Sequence, residues 1–101
     1  MTIIKPDVIA VLRFFSESEG GRQSTTPPDY LGCIFEYEQE KFECRLLLED
    51  VGPVAPGGQV SVPIKFLKPD LVKQRLHVGS SFRLRELWPI AEGIVEKILQ
   101  G

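Results

Sequence analysis

Apolar positions recur at every second residue over several short segments of this chain, and turn-forming residues separate those segments. In LGCIFEYE, Leu31, Cys33, Phe35 and Tyr37 alternate with Gly32, Ile34, Glu36 and Glu38. In KFECRLLLE, Phe42, Cys44, Leu46 and Leu48 alternate with Lys41, Glu43, Arg45, Leu47 and Glu49. A period of two marks strands with one buried face, and the polar EQEK between them predicts a hairpin. A turn at Gln39-Glu40 sets Tyr37 opposite Phe42, Phe35 opposite Cys44, Cys33 opposite Leu46 and Leu31 opposite Leu48. Every pair on that face is apolar, and a one-residue slip would put the whole set in water. In this register Cys33 and Cys44 stand diagonally, with α-carbons about 7 Å or more apart, beyond comfortable bridging distance. They are expected as two reduced core thiols in a reducing compartment.

The same alternation continues downstream. QVSVPIKFLK turns Val60, Val62, Ile64 and Phe66 inward and Ser61, Pro63, Lys65 and Leu67 outward. Pro63 cannot donate to a ladder, which predicts an edge position or a bulge. SSFRLRE points Phe82 and Leu84 in and Arg83 and Arg85 out, whereas DVIAVLRFF is apolar on both faces and predicts a strand covered on both sides. Short strands separated by SESEGGRQSTTPPD, EDVGPVAPGG, KPD and VGSS favour an all-β sandwich or barrel. The tail, WPIAEGIVEKILQG, is ambiguous. Apolar residues at 90, 91, 94, 95, 98 and 99 have helical spacing, while Gly93 and the β-branched Ile90, Ile94, Val95 and Ile98 oppose it. Periodicity alone favours a helix there.

Bulk properties then remove whole classes of function. The 101 residues are read as one domain, 1–101, of ordinary soluble composition with 43% hydrophobic and 26% charged residues. No apolar run reaches the roughly 18 residues a membrane span needs. MTIIKPDVIAVLRFF lacks a basic start and a small-residue cleavage site, so a cytoplasmic location is expected, with no membrane partner. A net charge of −2 argues against nonspecific nucleic-acid binding. The charge is bipolar, however. Lys65, Lys68, Lys73, Arg75, Arg83 and Arg85 fall in one stretch, and Glu36, Glu38, Glu40, Glu43, Glu49 and Asp50 in another.

Several short motifs occur in a telling order: Glu19-Gly20-Gly21-Arg22, a tyrosine leading a hairpin, Pro56-Gly57-Gly58, Lys68-Pro69, Arg85-Glu86, Gly93, and Lys97-Ile98-Leu99. From about Asp7 to Leu99 the chain resembles the C-terminal, third domain of bacterial elongation factor Tu. That family runs EGGR, a GYRPQFYF strand, a PGDNVTF-like strand ending in IKP or IHP, and FAIREGGRTVGAGVVTKIL. The resemblance implies a six-stranded antiparallel β-barrel in which residues 89 to 99 form the last strand, against the periodicity. In the family this domain contacts the T-stem of aminoacyl-tRNA, the exchange factor and the GTPase domain. Here the family's Arg-Pro after the tyrosine is Leu31-Gly32, the histidine after GGR is Gln23, and its REGGRTVGAG turn is Arg85-Glu86-Leu87-Trp88-Pro89-Ile90-Ala91-Glu92-Gly93. The stretch from Pro69 to Phe82 is a few residues longer. The barrel is expected to be retained with a rewritten binding surface.

Catalytic chemistry finds little support. There is no GxxxxGK[ST] loop, so no nucleotide is expected, and Gly20-Gly21 precede no helix that could cradle phosphate. Both cysteines fall on the core face, where thiols are inert, so a thiol pair with His77 is set aside. One histidine leaves too few soft ligands for zinc, and no cofactor is expected. Gly20 and Gly21 are read as positive-φ turn residues and Arg22 as the tie from loop to barrel. Trp88 is read either as barrel-end packing or as an exposed interface anchor. The resulting expectation is a stand-alone, non-catalytic binding module with a protein partner, in a translation-related complex or as a small inhibitor or immunity-type protein. Its candidate binding residues are Arg22, Tyr30 and Trp88. The alternative is a tRNA- or ribosome-associated RNA-binding accessory using Lys65, Lys73, Arg75, Arg83 and Arg85.

Overall fold

Residues 4–100 are described by a computed structural model. Six strands, β1 (Val8–Phe14), β2 (Tyr30–Tyr37), β3 (Glu40–Leu47), β4 (Gln59–Phe66), β5 (Ser81–Arg85) and β6 (Pro89–Ile98), close into a barrel in the order β1-β4-β3-β2-β5-β6. Every neighbouring pair is antiparallel. The alternating apolar sets fill the interior: Val8, Ala10, Leu12 and Phe14 from β1, Leu31, Cys33, Phe35 and Tyr37 from β2, and Val62, Ile64 and Phe66 from β4 are all buried. Phe35 lies at the centre, edge-on to Phe66 at 4.9 Å and stacked on Phe82 at 4.2 Å. Each aromatic pair adds about 0.5–1.5 kcal/mol beyond the area it buries.

The tail is a strand. It pairs with β5 on one side and with β1 on the other, which closes the barrel. Gly93 explains the residue that broke the helical pattern. A β-carbon there would come within 2.6 Å of both Leu12 Cδ2 and the Phe82 ring, so the glycine makes room for two core side chains. The stretch between β4 and β5, a few residues longer than in the resembled family, holds a short helix, α1 (Pro69–Val72), and a 3-10 turn at Lys73–Arg75. Asp7 pins this insert: its buried carboxylate accepts the Phe66 N–H at 2.8 Å and lies 3.2 Å from Lys65 Nζ and 3.9 Å from Lys73 Nζ.

The hairpin turns one residue earlier than the sequence predicts. Tyr37 pairs with Glu40 across a turn at Glu38-Gln39, two non-glycine residues with φ of 49° and 70°. Positive φ at both central residues matches the twist of a two-residue hairpin. The whole register therefore shifts by two: Phe35 faces Phe42, Cys33 faces Cys44 and Leu31 faces Leu46. Alternation could not detect the difference, because a shift of two leaves every side chain on its own face. The cysteines are thus directly opposite each other rather than diagonal, and both are free and buried. Two smaller expectations also change. β1 is flanked on both edges rather than covered on both faces, with Ile9 and Val11 half-buried. Pro63 sits opposite Ile9 in the β1–β4 ladder and just past the last β3–β4 pair, Leu46 with Ile64, so it is at an edge on one side only.

Candidate functional site

Of the departures from the resembled family, the longer stretch between β4 and β5 lies at one end of the barrel, and two others meet at the opposite end, where the loop between β1 and β2 lies against the turn between β5 and β6. Ser16 begins this loop as the cap of a 3-10 turn at Glu17–Glu19; its hydroxyl accepts the Glu19 N–H, and the Glu19 carboxylate accepts the Ser16 N–H at 2.9 Å. The same carboxylate binds Arg13 at 3.0 Å, and Arg13 also reaches Glu92 at 3.0 Å. The Arg13 hydrogen bond, followed by the one from the Ser16 backbone, holds the Glu19 carboxyl down at about 2. Gly20 takes a φ of 90°. Gly21 does not; its smallness serves contact instead, since a β-carbon there would lie 2.2 Å from the Phe15 carbonyl oxygen.

From this base the loop grips the opposite turn. Arg22 donates to Glu86 Oε1 at 2.7 Å, and the Trp88 indole N–H donates to the Gly21 carbonyl at 3.4 Å. Arg22 ties the loop down as expected, but to the β5–β6 turn, and this leaves its guanidinium occupied. The second half of the loop is also fastened. Thr26 is buried, its N–H donates to the Val54 carbonyl at 2.9 Å, and its hydroxyl accepts the Val54 N–H at 2.9 Å.

What this scaffold presents is apolar. Leu87 is 85% exposed and Trp88 46% exposed, side by side at the tip of the turn. Trp88 therefore divides the two readings between its parts: one edge packs on the Gly20-Gly21 loop and the remainder faces solvent. An open depression of about 480 Å³ lies beside it, lined by Phe15, Glu19, Gly21, Gln23 and Trp88. A larger one, about 670 Å³, crosses the outer face of β1, β5 and β6 over Val11 and Ile94. It is as open as the first, and the Arg13–Glu92 ion pair crosses it. Tyr30, 46% exposed, carries the Arg45 guanidinium over its ring at 4.9 Å. Leu87 was missed in the sequence; the available signal was an unpartnered leucine inside a turn, where polar residues are the rule.

The basic residues do not converge. Lys65 and Lys73 are drawn to Asp7, and Arg75 pairs with Glu40 at the hairpin turn. Arg85 lies 3.7 Å from Glu36 and donates to the Leu87 carbonyl at 2.9 Å, while Arg83 stands in register between Glu36 and Glu92. Lys65, Lys73, Arg75 and Arg85 are each within 4.0 Å of a carboxylate, and Arg83 has carboxylates as its cross-strand register partners. Among the described residues no group of three or more His, Cys, Asp or Glu is arranged to hold a metal ion, and no helix is long and apolar enough to cross a membrane. No protein-family model matches this chain, and no curated protein matches it either.

Proposed function

We propose that this protein is a non-catalytic binding module whose partner is a protein, held at the barrel end that carries Leu87 and Trp88. One observation carries the reading: two large apolar side chains project from a turn that an ion pair and an indole hydrogen bond fasten to the neighbouring loop. An exposed leucine and tryptophan cost solubility and add nothing to the core. On a turn whose backbone is fixed in place, they lose less entropy on docking than on a mobile loop and suit the aromatic-centred anchors of protein interfaces. We further propose kinship with the third domain of elongation factor Tu, supported by the order of the motifs and by the six-stranded antiparallel barrel. On that reading the ancestral RNA- and factor-facing residues have been replaced, and the module serves a translation-related complex or acts as an inhibitor or immunity-type protein. The RNA-binding alternative would draw on Lys65, Lys73, Arg75, Arg83 and Arg85. Their spread, and the carboxylates beside them, weigh against a continuous phosphate-binding face.

The test is capture from host extract with the wild-type chain, Leu87→Asp and Trp88→Ala, with ribonuclease added in parallel. A protein retained by wild type, lost with both variants and indifferent to ribonuclease supports the proposal. Retention that both variants share, or that ribonuclease abolishes, overturns it.

A further inference from the structure

The corrected hairpin register sets Cys33 opposite Cys44 with Sγ atoms 3.6 Å apart, and both thiols are free. Tyr37 and Glu40 flank a two-residue turn, so they form a hydrogen-bonded pair, and every second pair beyond them does the same. Cys33–Cys44 is one of these. Such pairs hold α-carbons about 5.5 Å apart, inside the roughly 4.4–6.8 Å that a disulfide spans. We propose that Cys33 and Cys44 form an oxidisable cross-strand dithiol, a modification site whose co-substrate is a small-molecule disulfide.

The thiols lie on the inward face of the hairpin, so access to them requires a local opening of the barrel, beside two grooves that flank the hairpin. A groove of about 400 Å³ is lined by Gly32, Cys33, Cys44, Arg45 and Leu87, and another of about 360 Å³ by Cys44, Phe66 and Leu67. Gly32 has no side chain to cover the strand above the first. The hairpin is also joined to the rest of the barrel by two short seams, of three register pairs each, β2 with β5 and β3 with β4. Opening one of them exposes two cysteines that, as residues, are 8% and 4% exposed in the closed barrel.

The chemistry balances. Cys33 gives up its proton, and its thiolate attacks one sulfur of RSSR, forming a protein–SR mixed disulfide and expelling RS⁻, which takes the proton as RSH. Cys44 then loses its proton and attacks Cys33 Sγ, expelling the second RS⁻. Two protein thiols become one S–S bond, two electrons pass to the small disulfide, and two RSH leave. The hydrogen bond with Cys33, and then burial, push the Cys44 thiol above its ordinary pKa; Cys33 is the less buried of the two residues, which makes it the first nucleophile. In a directly opposed pair the β-carbons lie about 4.5–5.5 Å apart, against about 3.5–4.5 Å in a disulfide, so the bond draws the strands together. A bond strained in this way is readily reduced again, and the modification is reversible.

The test treats the folded full-length chain with oxidised glutathione, followed by intact mass measurement and non-reducing peptide mapping. The expected product has lost the mass of two hydrogens, shows a Cys33–Cys44 cross-linked peptide, and returns to the dithiol in excess reduced glutathione. Cys44→Ser should stop at a glutathione adduct on Cys33. Free thiols in the folded chain, under conditions that oxidise the urea-unfolded chain, would overturn the proposal. So would intermolecular dimers or a stable adduct in the wild type. Should the serine variant fail to fold, the wild-type map and its reversal decide the matter alone.

Discussion

Replacing Gly21 and Gly32 each by alanine should move stability in opposite directions. At Gly21 the new methyl would sit 2.2 Å from the Phe15 carbonyl oxygen and 2.7 Å from its carbon, both backbone atoms that cannot rotate away. Relief requires the loop to lift, and overpacking of this kind costs about 1–3 kcal/mol, here toward the upper end. For a domain near 100 residues each kcal/mol moves Tm by roughly 4–8 °C, so Gly21→Ala should lower Tm by roughly 10–20 °C. At Gly32, on the exposed face of β2, the same methyl meets nothing within 4 Å. Alanine there removes the entropic cost of a strand glycine, about 0.5–1 kcal/mol, and should raise Tm by a few degrees. Thermal and urea denaturation with unchanged m-values are the assay. Trp88 supplies a local readout, because it is the single tryptophan and its indole binds the Gly21 carbonyl. Gly21→Ala should increase quenching of its fluorescence by acrylamide, and Gly32→Ala should not. Equal effects on Tm, or a Gly21→Ala protein as stable as wild type, would refute the packing of the loop against β1.

Three further outcomes are expected. Glu19 titrates at about 2 in the folded chain against an ordinary 4.5, so its stabilising contribution is complete above about 4.5 and is lost as pH falls toward 2; in urea melts at pH 5 and pH 2.5, Arg13→Gln should show a smaller acid-side loss than wild type. Amide exchange should be faster at the two three-pair seams, Ile34–Glu36 with Arg83–Arg85 and Cys44–Leu46 with Ile64–Phe66, than where β1 joins β4 and β6 through six and seven pairs; uniform protection would argue against a hairpin less firmly joined. Glu86→Gln should loosen the turn by removing the Arg22 ion pair, seen as a more accessible Trp88 with a Tm change of only a few degrees; unchanged quenching would mean that this contact does not position the turn.

The inward faces of β2, β4 and β5 were legible because burial enforces a period of two, and a residue such as Phe35 has no other place to go. The hairpin register was not, since alternation fixes which face each side chain occupies and leaves shifts of two open. What selected the observed turn was backbone conformation at Glu38 and Gln39, which neither residue type announces. The relation between the two cysteines hung on that choice. The tail needed the motif order to outweigh a helical spacing that Ile90, Ala91, Ile94, Val95 and Ile98 shared with the strand they form. In the candidate site, the role of Arg22 was readable, while its partner Glu86 was not, because 64 residues separate them. The acidic neighbours of the basic stretch, Asp7, Glu36 and Glu40, were hidden for the same reason: they lie far away in the chain and reach it only through the fold.

Hydrogen-exchange footprinting of the purified complex, once the partner is captured, addresses the binding surface most directly. Protection on binding should concentrate in peptides covering residues 19–24 and 85–89, with Trp88 fluorescence shielded from acrylamide at the same time. Protection confined to residues 65–75, with Trp88 as accessible as in the free chain, would contradict the assignment of the Leu87–Trp88 turn as the site of contact.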